Sequence, residues 1–238
     1  MDYTLTSYRS AKTLSLLAIA GLALTIFCRI LSSLVGFGQI LSPDYTFKLD
    51  GNLNSSVWLL AQGIVALLQF PVFIFTVVFF LIWLNRTNKN LEPLKASYTE
   101  FSSGWAVGWW FIPFANLVKP FQAVREVWRE SDPDFDGSSG FLSSQVGAPT
   151  YMGFWWGFWI VSNIFENITS RVYDPDKLQT VEISGYLFMI SGILSSIAAV
   201  LAIMVVRDIT ARQEARIKAV GTLNEHLPPP PPQYNGLT

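Results

Sequence analysis

From residue 183 to residue 206 the chain carries no charged side chain. About 20 mostly apolar residues suffice to cross the hydrocarbon of a bilayer as a helix. In that solvent the backbone must satisfy its own hydrogen bonds, which leaves helices as the solution for a run like this. Three other segments share the character. The run 14–41 holds one charge, Arg29, and 57–84 holds none. The segment 151–168 is the shortest and the richest in aromatic residues. Charged residues make up 14% of the chain, against about 25% in soluble domains. The expected fold class is therefore an all-α membrane protein with four transmembrane helices, at about 14–34, 57–84, 151–168 and 183–206. Arg9 and Lys12 precede the first run as in a signal peptide. A signal-peptide core is only about 7–15 residues, so the first run is expected to be an uncleaved span.

Lys and Arg set the orientation, because they are retained on the cytoplasmic side. Residues 1–13, the loop 85–150 and the segment after 206 together carry twelve of them, and the two remaining loops carry three. Both termini and the central loop are expected to be cytoplasmic. Residues 207–220 read as a helical extension, with Asp208 and Arg212 at i,i+4. Residues 221–238 read as a disordered tail with five consecutive prolines, a polyproline II segment open to an aromatic-lined groove. His226, the only histidine, lies in that tail. Cys28 is single, which excludes an intramolecular disulfide framework and a cysteine zinc site. The net charge of −1 gives no case for nucleic acid.

The central loop holds an unusual stretch, 104–133, GWAVGWWFIPFANLVKPFQAVREVWRESDP. Trp105, Trp109, Trp110 and Trp128 are four of the nine tryptophans. Residues 104–117 are too few to cross a bilayer and are interrupted by Pro113, so the segment is interfacial or re-entrant. Ser102 or Ser103 suits the cap of a short helix. Asn116 suits the cap of the next one, with Pro120 in its first turn. Over 120–131 the pattern is amphipathic: Phe121, Val124, Val127 and Trp128 share one side. Gln122, Arg125, Glu126, Arg129 and Glu130 fall largely on the other. Arg125 and Arg129 form a two-cation ridge suited to lipid phosphates, an anionic ligand or nearby carboxylates. These two, with the four tryptophans, are the candidate lipid- or ligand-contacting residues. A second aromatic cluster opens at Tyr151 and suits packing against the first.

Two charges fall inside the expected spans. Arg29 and Glu166 each lie 15 residues into a span that starts on the cytoplasmic side. At about 1.5 Å per residue both sit about 22 Å up a core of about 30 Å, so an intramembrane ion pair is expected. Gln69 and Pro71 lie mid-span in the second helix, where Pro71 favours a kink. Small residues repeat at spacing four in the last span, at Ser191, Ser195 and Ala199, and suit close helix packing.

Asp132, Asp134, Asp136 and Gly137 match the first half of a calcium loop. Its twelfth position is Ser143 rather than a bidentate Glu, and no metal is expected. No Ser-His-Asp set, HExxH or P-loop is present, so neither an enzyme nor a cofactor is expected.

The stretch 104–133, and FLIWLNRTNKNLEPL before it, resembles the signature of domain of unknown function 4328. The resemblance covers about 57–206. It implies a multi-span membrane protein, usually bacterial, here in the cell (inner) membrane, and brings no activity or catalytic residues. The function expected is a membrane scaffold or sensor-like interaction module. Its partners are the lipid bilayer and a protein reached through the central loop or the proline-rich tail. The alternative is a small transporter or channel, oligomeric because four helices enclose little space.

Overall fold

The structure, a computed structural model, describes residues 8–41, 53–94, 96, 99–134, 147–174 and 178–225. The proline tail, His226 and Asp136 lie outside these residues. The described residues form six α-helices: α1 (Lys12–Leu41), α2 (Leu53–Lys89), α3 (Ser103–Gly108), α4 (Lys119–Glu130), α5 (Thr150–Val172) and α6 (Leu178–Glu225). Two single turns of 3-10 helix, Trp109–Phe111 and Ala115–Leu117, join α3 to α4. The described residues include no strand.

Among the described residues, three stretches are long and apolar enough to cross a membrane: Lys12–Phe37, Leu60–Lys89 and Ile183–Val220. The fourth expected span lies in α5. Its 23 residues are sufficient in length, but Ser162, Asn163, Glu166 and Asn167 dilute its apolar character. α2 runs unbroken through Pro71.

Side-chain partners give the register. Thr25 meets Thr76 and Gln69 donates to Ser32, so α1 and α2 are antiparallel. Lys12 pairs with Glu214 and Gly192 lies beside Ser33, so α1 and α6 are antiparallel too. Tyr151 reaches Asp208 across α5 and α6. α1 packs along α2 and α6, and α6 packs along α5; α2 reaches α6 through side chains at one end, Trp83 to Thr210 and Thr87 to Gln213. The order across the bundle is α2–α1–α6–α5, an open arc with a cleft between its two outer helices.

Close packing at the α1–α2 crossing depends on one glycine. A Cβ on Gly21 would lie 2.8 Å from Thr76 Oγ1 and 2.9 Å from Thr76 Cα. Backbone cannot yield as a flexible side-chain tip can. Gly21→Ala should therefore lower thermal stability by about 1–3 kcal/mol through overpacking. Gly36→Ala, whose Cβ meets nothing within 4 Å, should be neutral or slightly stabilising in a helix interior. Parallel melting curves in detergent check the pair of variants; equal melting points would refute the close-approach account.

Candidate functional site

At one end of the arc, α3, the two 3-10 turns and α4 form a plate over the helix ends. Ser102 is the cap of α3, its hydroxyl accepting from Trp105 N at 3.4 Å. Val118, not Asn116, occupies the cap position of α4, with no side-chain hydrogen bond, and Pro120 sits in the first turn. Asn116 is instead taken into the second 3-10 turn, where it lines the cleft. Phe114, between Pro113 and that turn, has φ of 63°. A bulky residue rarely occupies this left-handed region. Its side chain is 86% exposed, and Phe111 beside it 69%.

The four loop tryptophans separate into two environments. Trp105 is exposed, and Trp109 packs against it with ring centroids 4.8 Å apart and planes tilted by 34°. Trp110 turns inward, edge-on to Trp156 and Trp159 and 5.5 Å from Phe80. Trp128 is buried: its Nε1 donates to Asp208 at 2.6 Å and Arg212 lies over its ring at 3.9 Å. A lipid-contacting Trp128 is therefore corrected, because α4 turns its apolar side onto the bundle rather than outward. Phe111, Ile112, Phe114, Leu117 and Val118 are, with Trp105, exposed apolar residues of the plate. The two aromatic clusters do meet, and Trp156 Nε1 donates to Leu117 O at 2.7 Å.

The expected polar side of α4 is also partly internal. Glu126 is buried and accepts from the backbone N–H groups of Glu100 and Phe101 at 2.9 and 3.2 Å. Burial pushes its carboxyl above the usual range, and those two N–H bonds pull against that rise. Glu130 is buried and pairs with Arg129 Nε at 3.1 Å. Arg125 remains exposed. Lys119, Arg125 and Arg129 line a shallow surface pocket of about 280 Å³ that also takes in Glu100 and Glu126. The ridge is thus a mixed-charge rim, not a pure cation patch.

The plate is held by a hub absent from the sequence reading. The face of α6 from Val206 to Val220 continues the buried stripe, but with polar side chains at Thr210, Gln213 and Arg216. Thr210 accepts from Trp83 Nε1 at 3.0 Å. Gln213 donates to Thr87 O and Ser131 Oγ and accepts from Asn90 Nδ2. Arg216 donates to the carbonyls of Leu94, Glu130 and Asp132. Asp208 accepts from Trp128 and Tyr151, and Glu214 takes Tyr8, Ser10 and Lys12. Asp132 faces Arg212 at 3.4 Å, so it is turned to α6; Asp134 N–H donates to Asp132. The clue was a spacing of three and four that persists past the apolar run.

Beneath the plate, the cleft encloses about 400 Å³ between α2 and α5. Its floor is α1 and the small residues of α6, and Trp110, Phe111 and Asn116 close its plate end. Arg29 and Glu166 also line it. Arg29 Nη2 lies 2.5 Å from Glu166 Oε1, and the side chains keep 22% and 36% exposure.

Domain of unknown function DUF4328 matches residues 51–211. The chain belongs to the DUF4328 family. The match spans the plate, α2, α5 and Glu166. α1 with Arg29 precedes it, and Arg212, Gln213 and Arg216 follow it. No curated protein and no solved structure matches the chain.

Proposed function

We propose that this DUF4328 chain is a four-span protein of the bacterial cell membrane, with termini and plate cytoplasmic, acting as a membrane-embedded interaction module. α5 supplies the fourth span. The observation that carries this reading is the exposed apolar tip around Phe114. It is set on a plate that also carries the exposed Arg125, and Lys119, which pairs with Glu100 at 3.8 Å. Burying one such side chain in the acyl boundary contributes about 1.5–3 kcal/mol, and neighbouring cations add attraction to anionic headgroups. The tip is therefore the lipid-contacting element, and no catalytic step is assigned. A benzophenone amino acid placed at Phe114 in nanodiscs of anionic lipid should give lipid adducts on illumination. Illumination of native membranes that yields one protein adduct instead would move the reading to partner docking. Adducts to neither would defeat it.

The cleft favours a second reading, a small oligomeric transporter. Arg29 and Glu166 would line the pathway. Gln69, held by Ser32 at 2.9 Å, would act beside it with Pro71. Solute flux in liposomes that Glu166→Gln abolishes would support this reading; flux equal to empty liposomes would exclude it.

A further inference from the structure

The cleft shares Phe111 with the exposed tip but does not include Phe114, and its construction points to a ligand. Its volume of about 400 Å³ falls in the usual range of small-molecule sites, about 300–1,000 Å³. Six aromatic side chains line it: Phe73 and Phe80 from α2, Trp110 and Phe111 from the plate, Trp155 and Trp159 from α5. Aromatic faces and edges favour another flat ring over a flexible chain. The opposite wall is small: Ser195, Ala198, Ala199 and Ala202 of α6 leave room for a ring to lie against the helix. Phe73 and Phe111, on the rim, are exposed, so the cleft opens sideways, toward hydrocarbon where the helices span.

The polar groups narrow the class. Arg29 and Glu166 sum to zero charge, and a charged ligand would have to separate them at a cost in desolvation. A guanidinium has five N–H donors and a carboxylate about four acceptor positions, so the pair can bond a neutral guest without opening. Asn163, also in the lining, uses its Nδ2 on Trp159 O and keeps its carbonyl oxygen. An acyl chain would offer none of these groups a hydrogen bond. We propose that the cleft binds a neutral, ring-bearing lipophile of the quinone or phenol class, its ring among the aromatic walls and its oxygen on the Arg29–Glu166 pair. This goes beyond the role given to the plate. It fails or stands independently of crosslinking at Phe114.

A decyl-substituted benzoquinone tests this, because quinones quench tryptophan emission and three tryptophans line the cleft. The full chain in nanodiscs should show saturable quenching above that of a membrane-dissolved tryptophan ester. Ala199→Leu fills the small wall and should weaken the apparent affinity about tenfold or more. Glu166→Gln should change it little, because a quinone oxygen can only accept and takes its hydrogen bond from Arg29. Asn163→Leu, at an already exposed side chain, gives a second blocking variant should Ala199→Leu fail to fold. Dodecanol should not compete. Quenching linear in quinone and equal in all variants means partition into lipid only and overturns the proposal. Equal displacement by dodecanol means an acyl-chain groove and overturns it too.

Discussion

Arg216→Leu should destabilise the protein by about 3–5 kcal/mol, the range for removing one partner from a buried charged network. The guanidinium is 2% exposed, and its Nε donates to Leu94 O at 2.9 Å. Nη1 donates to Glu130 O and, at 3.3 Å, to Asp132 O. It thereby ties the turn after α2 and the end of α4 to α6. Leucine fills part of the space but leaves carbonyls without donors, and each unsatisfied buried group costs about 1–3 kcal/mol. Arg216→Lys should recover little, because a single ammonium cannot reproduce a planar fork. Arg207→Leu, on the exposed side of the same helix, should change stability by no more than about 0.5 kcal/mol. Melting of the three variants in detergent, with limited proteolysis around Asp132, provides the comparison. An Arg216→Leu protein that melts like wild type would remove the hub from the account of the fold.

Arg29→Met should cost about 2–4 kcal/mol, somewhat below the figure for a fully buried pair because both partners keep access to the cleft. The loss comes from Glu166, left in the cleft without its partner. Arg29→Met combined with Glu166→Gln should therefore be more stable than Arg29→Met alone. The coupling should be about 1–3 kcal/mol, as for directly touching groups. Simple additivity of the two single losses would show that the pair does not act as a unit.

The readable parts of the chain were those governed by local rules. Apolar length marks α1, α2 and α6 without reference to any neighbour. The cap at Ser102 and the helix after Pro120 follow from short-range hydrogen bonding. Counting residues from the start of each span placed Arg29 and Glu166 at one depth, and the structure brings their charged groups together. Periodicity failed where it could name a face but not its cover. Trp128 is a lipid- or ligand-contacting candidate by pattern, yet the apolar side of α4 packs on the bundle and takes Trp128 inward. Glu126 and Glu130 fall on the polar side of α4, yet both are buried, Glu126 under bonds from Glu100 and Phe101 and Glu130 against Arg129. A polar stripe on α6 looks like a solvated helix until other chain segments supply its partners.

Sequence alone determined that this chain forms long apolar helices joined by an aromatic loop element, and that it has the marks of DUF4328. These are properties of contiguous residues, set by hydropathy, capping and helical period. Only the tertiary structure decided the α2–α1–α6–α5 order, the division of the tryptophans into inner and outer sets, and the cleft that holds Arg29 and Glu166. Those depend on which surfaces meet across large separations in the chain. That choice rests on packing at Gly21 and on the hydrogen bonds of Asp208, Gln213 and Arg216, which no local pattern encodes.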